Sequence, residues 1–212
     1  MGAGRWVSVE PGRLAGWLDR FADRHGGIAG STVDPSALVV TAEDGALAEC
    51  RVPFPPLAVD STDPYGGLVA HALADRKVGV LLVRLGGYAA GVFAGERLVA
   101  SKVGSRQVHG RSAAGGQSQQ RFARRREGQV RVALAAAADV AAAVLVPEAS
   151  TLDAVVLGGD RRAVEEVLAD PRLARLRPLA VDARIDVPDP RLKVLQGTPA
   201  LFRAVRIRVA DP

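Results

Sequence analysis

Cysteine is nearly absent from this chain of 212 residues. Cys50 is its single cysteine, so an internal disulfide is impossible, and the three histidines do not combine with it at zinc-finger spacing. No local signature supports a thiol nucleophile at this position either. We therefore expect no disulfide and no metal site, and this composition fits a cytoplasmic protein.

Long apolar runs are missing as well. Residues 1–6 lack the apolar core of roughly 7 to 15 residues that marks a secretory signal peptide. The most apolar stretch, residues 132–146, contains Asp139 and is followed by Pro147, so it is too short and too interrupted to span a bilayer. We expect no membrane partner.

Acidic residues are absent from the apolar segments 78–85 and 88–94, which are predicted strands. A nuclease that uses two metal ions needs a carboxylate cluster on such strands, and this sequence does not supply one. The run Gly158-Gly159-Asp160 lacks the complete spacing of a dinucleotide-binding or P-loop motif, and a capped turn explains it. The sequence therefore predicts no cofactor.

Positive charge is abundant, and it is concentrated in one segment. Residues 101–131 carry a net charge of +7, whereas the rest of the chain sums to −2. The basic residues there are Lys102, Arg106, Arg111, Arg121, Arg124, Arg125, Arg126 and Arg131. Such a segment on an otherwise mildly acidic protein is typical of a nucleic-acid contact, although a solvated arginine-rich helix face has the same composition.

Within this basic segment lies the uncharged tripeptide Gly115-Gly116-Gln117. Two glycines allow backbone conformations that a Cβ forbids and permit close approach of another molecule. Glutamine does not titrate, so Gln117 cannot act as a general base. It can position a water molecule and donate a hydrogen bond to a developing oxyanion.

The tripeptide belongs to a longer pattern: Gly110-Arg111, a short spacer, Gly115-Gly116-Gln117-Ser118, Arg121-Phe122-Ala123-Arg124, and Arg126. This pattern resembles the catalytic loop and following helix in the middle domain of eukaryotic and archaeal class I peptide-chain release factors. In size and setting the chain is similar to the release-factor-like peptidyl-tRNA hydrolases of the Vms type, which act in ribosome quality control, and it looks like an actinobacterial member.

The resemblance implies roles for individual residues. Gly115, Gly116 and Gln117 would be catalytic, with the ribosome and the tRNA ribose completing the site. Arg111, Ser118, Arg121, Arg124 and Arg126 would contact tRNA or ribosomal RNA, although Ser118 also suits a helix N-cap. Arg125 and Lys102 join this set on charge alone. The implied partners are the large ribosomal subunit and peptidyl-tRNA, and not DNA.

The pattern of apolar residues predicts the elements around this loop. We expect helices at 11–25, 64–76, 118–143 and 161–169. We expect a hairpin at 36–41 and 46–52, and a meander of strands at 78–85, 88–94 and 97–103 that leads into the glycine-rich loop. Residues 154–157 suggest a parallel strand, and 179–181 and 204–209 suggest further strands.

These elements predict an α/β fold whose mixed sheet contains an antiparallel meander. It resembles the ribonuclease H-like topology of the release-factor middle domain. The prolines at 53, 55 and 56 suggest a boundary between an N-terminal helix and hairpin, residues 1–56, and a catalytic domain, residues 57–212, with the loop at 105–118. The two parts are expected to form one compact unit.

The sequence thus favours a codon-independent peptidyl-tRNA hydrolase that releases nascent chains from stalled or split ribosomes. We expect the activity to be codon-independent because residues 1–60 contain no recognisable decoding motif. Two alternatives stay open. One is a non-catalytic RNA- or ribosome-binding module of the same fold, and the other is a hydrolase of free peptidyl-tRNA.

Overall fold

The computed structural model describes residues 4–106 and 117–212, with side chains for 4–106 and 124–212. In chain order the elements are β1 (Arg5–Val9), α1 (Leu14–Arg24), β2 (Ile28–Val33), β3 (Ala37–Ala42), β4 (Leu47–Arg51), α2 (Leu68–Leu73), β5 (Lys77–Arg84), β6 (Gly87–Ala94), β7 (Arg97–Ser105), α3 (Gln117–Leu145), β8 (Ala154–Gly159), α4 (Arg161–Leu168), β9 (Ala180–Ile185), α5 (Leu192–Gln196), α6 (Pro199–Phe202) and β10 (Val205–Ala210).

The chain folds into two units, each with its own sheet. The terminal unit contains Met1–Ala74 and Ala200–Pro212, and the central unit contains Asp75–Pro199. This division differs from the predicted boundary after residue 56 and from the single compact unit expected there. The physical reason is packing, since Leu57, Leu68 and Ala72 are buried in the same core as α1 and β10.

The terminal unit is an antiparallel sheet of order β1-β10-β4-β3-β2. Helix α1 presents Leu14, Leu18 and Phe21, which share one side of the helix and are buried against the sheet. A short 3-10 turn, Pro11–Arg13, precedes α1. The predicted helix at 11–25 and the predicted β3–β4 hairpin are therefore confirmed.

The central unit has a mixed sheet of order β7-β6-β5-β8-β9. Strands β5, β6 and β7 form the predicted antiparallel meander, and β8 pairs in parallel with both β5 and β9. Helices α3 and α4 bury side chains against Leu81, Ala90 and Leu157 on one face of this sheet. The predicted α/β class with a mixed sheet and a meander is confirmed.

Several predicted elements are corrected. Strands β1 and β2 were not expected, and β10 belongs to the terminal sheet and not to the mixed sheet. The helix predicted at 64–76 is limited to α2, because Gly66 and Gly67 have φ values of +62° and +84°. Helix α3 begins at Gln117, so Ser118 lies inside its first turn and cannot be the N-cap, which requires a non-helical backbone.

Helix α3 is the longest element. Its 29 residues extend over about 43 Å at the usual rise per residue. The stretch Arg124–Glu148 is long and apolar enough, by length and composition, to qualify as a membrane span, which corrects the expectation that it is too short and too interrupted. In this fold, however, the same stretch supplies core residues, because Ala137, Ala141 and Leu145 are completely buried in the central unit.

Candidate nucleic-acid interface

The predicted catalytic residues lie between the end of β7 and the first residue of α3 in the sequence. Strand β7 ends at Ser105, and α3 begins at Gln117. Arg111, Gly115 and Gly116 are outside the described residues, as are the side chains of Gln117, Ser118 and Arg121. For Gln117 the structure gives a helical backbone at the first position of α3. The catalytic assignment of these three residues stays a prediction.

Lys102 lies on β7, the strand at one edge of the central sheet. It pairs with Ala90, which is buried in the core formed with α3. Because paired residues of neighbouring strands project to the same face, Lys102 stands on the side of the sheet that α3 covers. Its side chain is exposed, which places a cation beside the strand end that leads to the predicted catalytic loop.

The described side chains of α3 begin at Arg124, and those before Ala133 are exposed or half-buried. Arg124 and Arg125 are exposed and Arg126 is half-buried, and burial in the core begins only at Ala133. None of the three arginines forms an ion pair with a described residue. Their positive charges are therefore available to an external anion.

Arg124, Arg125 and Arg126 lie beyond the first turn of α3, which begins at Gln117, so the helix dipole has little effect on them. Each guanidinium is planar and presents several N–H donors, which suits it to the oxygens of a phosphate. Three such groups in succession favour a polyanion over a small neutral ligand.

Two further basic residues join this surface in the structure. Arg131 is exposed and lies seven residues after Arg124, so the two share one side of α3. Arg106 is exposed directly after β7, where its backbone N–H donates to the carbonyl of Gly86 at 3.1 Å. Both were counted in the basic segment, but only their exposure distinguishes them as candidates. We call the five exposed basic residues of this region the basic surface: Lys102, Arg106, Arg124, Arg125 and Arg131.

Two other kinds of site, a metal site and a reactive thiol, are not supported by the described residues. No group of three or more His, Cys, Asp or Glu side chains in residues 4–106 and 124–212 could hold a metal ion. Cys50 is completely buried, and burial, assisted by the charge of Glu49, raises the pKa of its thiol to about 12. A thiol with this pKa is not a nucleophile at neutral pH.

Comparison with known proteins identifies the class first. Residues 76–208, which are more than half of the chain, match a family of release factors. The family is described as the Actinobacteria/chloroflexi VLRF1 release factor, and the chain belongs to it. The predicted resemblance to release factors is thereby confirmed, and membership implies a release-factor-like role at the ribosome.

Solved structures give weaker similarities. An archaeal translation termination factor, aRF1, has a TM-score of 0.45 at 16% identity, covering 93% of this chain and 66% of its own. A structure titled archaeal protein has a TM-score of 0.38 at 19% identity, covering 77% and 52%. The Vms1 mitochondrial localization core has a TM-score of 0.45 at 9% identity, covering 80% and 75%. The chain thus spans about two thirds of aRF1 and half of the second protein. No curated protein sequence matches significantly.

Proposed function

We propose that this protein is a codon-independent peptidyl-tRNA hydrolase that releases nascent chains from stalled or split ribosomes in the cytoplasm. One observation carries the proposal. The Gly115-Gly116-Gln117 tripeptide adjoins the end of α3 where exposed arginines gather without ion-pair partners among the described residues. Because the chain belongs to a release-factor family, we interpret the loop as the catalytic element and the arginines as RNA contacts.

The basic surface provides the docking step. Arg124 and Arg131 share one side of α3, and Lys102 and Arg106 lie at the end of β7. RNA phosphates would bind these cations, together with Arg111, Ser118, Arg121, Arg125 and Arg126, and release counterions. Such contacts orient the protein on the large subunit and on tRNA without reading a codon.

Gln117 provides the chemical step. Its amide accepts a hydrogen bond from one water molecule and directs it at the ester carbonyl of peptidyl-tRNA. The backbone N–H groups in the first turn of a helix have no partner within that helix, so they suit a developing oxyanion. Water adds to the carbonyl carbon, the bond to the ribose 3′-oxygen breaks, and that oxygen receives a proton. The step uses no cofactor and no metal, and Gly115 and Gly116 permit the close approach.

The test is release of labelled nascent peptide from purified stalled ribosomal complexes. Gln117→Ala should reduce the release rate by at least about a hundredfold, as expected for removal of a group that positions the reacting water. Gln119→Ala is the matched control, because it removes the same amide two residues away, and it should retain release within about threefold.

Cosedimentation with the large subunit separates catalysis from binding. Gln117→Ala should bind ribosomes as the wild type does. The exposed arginines would equally serve a non-catalytic RNA-binding module, and in that case the wild-type protein would bind ribosomes and release no peptide. Equal release from free peptidyl-tRNA and from stalled complexes would instead indicate a hydrolase of free peptidyl-tRNA. Either result would overturn the proposal.

A further inference from the structure

The terminal sheet has one covered face and one open face. Side chains of α1 and α2 pack in one core with Leu38, Val40 and Ile207 of the sheet. Residues that alternate with these project to the opposite face. Among them Trp6, Arg51 and Arg206 are exposed, and 39% of Trp6 is accessible to solvent. This face therefore presents an aromatic ring and cationic side chains together, and both are accessible to a ligand.

Strand pairing brings these three side chains together. Arg206 of β10 pairs with Arg51 of β4, and Trp6 of β1 pairs with Arg208, the next outward-facing residue along β10. The guanidinium carbon of Arg51 lies over the Trp6 ring at 4.8 Å from its centroid, and that of Arg206 lies at 5.0 Å. We call Trp6, Arg51 and Arg206 the sheet platform.

The charges of the sheet platform are not neutralised within the described chain. Arg208 forms a two-pronged ion pair with Glu49, with nitrogen–oxygen distances of 2.7 and 2.9 Å. Arg51 and Arg206, in contrast, form no ion pair with a described residue. Contact with an indole uses the flat face of a guanidinium, so its N–H edges stay free to donate to phosphate oxygens.

We propose that the sheet platform binds single-stranded RNA. Sequence-tolerant RNA sites combine cations that follow the phosphate backbone with an aromatic ring on which an unpaired base stacks. The platform offers both, because Trp6 keeps 39% of its surface accessible beside the two guanidinium groups, and guanidinium planes themselves stack on bases. A duplex keeps its bases stacked on one another, so none is available to stack on Trp6. An acidic peptide could pair with the arginines, but it has no base to stack on the indole.

This inference goes beyond the proposed hydrolase function. Trp6 and Arg51 lie outside residues 76–208, which carry the family match, and they belong to the terminal unit, whereas the predicted catalytic tripeptide lies within the range of the central unit. The platform would be a second RNA contact that does not depend on Gln117. A Gln117→Ala protein should therefore retain it in full.

Fluorescence gives a readout confined to the platform. The chain has two tryptophans, Trp6 and Trp17. Trp17→Phe leaves Trp6 as the only one, so a change in emission reports on the surroundings of Trp6. Titration of the full-length Trp17→Phe protein with oligouridine of about twelve nucleotides should quench the emission and saturate, because a base stacks on the indole.

A charge-matched pair of variants tests specificity. In the Trp17→Phe background, Arg51→Ala with Arg206→Ala should weaken this quenching by at least about tenfold in Kd. Arg20→Ala with Arg24→Ala removes the same charge from exposed positions on α1, which covers the other face of the sheet. That control should change Kd by less than about threefold.

Several outcomes would overturn the inference. They are an absence of quenching, equal weakening by both double variants, or equal quenching by duplex RNA or by polyglutamate. Ultraviolet crosslinking of wild-type protein to the same oligouridine needs no variant. It should attach uridine to the peptide that contains Trp6, and failure to do so while other peptides crosslink would also refute the proposal.

Discussion

The ring of Tyr88 lies against the backbone of Gly104, so closely that a Cβ added at Gly104 would stand 2.7 Å from the Tyr88 hydroxyl oxygen. The two residues pair between β6 and β7. Tyr88 is 7% exposed and belongs to the core of the central unit. Gly104 thus holds the end of β7 against this core, directly before the predicted catalytic loop.

Gly104→Ala should destabilise the protein by about 1–3 kcal/mol, because the buried Tyr88 ring must move to admit a methyl group. Urea unfolding measures the change. In a Tyr88→Leu background the same substitution should cost at least about 1 kcal/mol less, since the obstructing ring is gone. An identical cost in both backgrounds would show that another contact limits position 104.

Arg124→Ala with Arg131→Ala should weaken association with the large subunit. A plot of log affinity against log salt concentration has a negative slope, and each lost phosphate contact makes it shallower. The magnitude of the slope should therefore decrease by roughly 1.4–1.8 for two contacts. Cosedimentation at several salt concentrations measures the slope. The control is Arg20→Ala with Arg24→Ala, which removes the same charge from α1. An unchanged slope for the α3 variant would exclude phosphate contacts there.

Cys50 should resist alkylation in the folded protein. Burial raises the pKa of its thiol to about 12, and the side chain has no exposed surface, so iodoacetamide at pH 8 should leave it unmodified by mass spectrometry. The same reagent in urea should modify it fully. Peptide release that stops on thiol modification of the folded protein would restore a role for this cysteine.

Asp170 should contribute to stability above about pH 4 and lose this contribution in acid. Hydrogen bonds from the Arg172 side chain and backbone lower the pKa of its carboxyl from 3.8 to about 2. Arg172 also binds Asp139 of α3 at 2.8 Å. Because the folded-state pKa is depressed, the contribution is present above pH 3.8 and disappears as the pH falls towards 2.

Urea unfolding from pH 6 to pH 2 tests this dependence. Asp170→Asn should be less stable than wild type at pH 6, and the difference should shrink between about pH 4 and pH 2. Asp189→Asn is the control, because Asp189 is exposed and has no ion pair with a described residue. A difference that does not change with pH would show that Asp170 acts through the hydrogen bond that its side chain accepts from the Arg172 N–H at 2.9 Å, and not through its charge.

The sequence predicted the features that depend on near neighbours. The spacing of Leu14, Leu18 and Phe21 predicted α1 because one turn of helix brings such residues to one side. Asp160 was recognised as the cap of α4, and it accepts a hydrogen bond from the Ala163 N–H at 2.9 Å. The meander was also correct, since short turns join its strands. The basic segment and its tripeptide were visible as composition and order.

Tertiary structure decided what depends on distant parts of the chain. Strand β1 is short, and it forms because it pairs with β10, about two hundred residues later in the chain. The local sequence of β1 gives no indication of this distant partner. The boundary between the units shifted because residues 57–74 and 200–212 complete the terminal core. Trp6, Arg51 and Arg206 form one platform because hydrogen bonds between strands, and not their sequence separation, determine which side chains become neighbours.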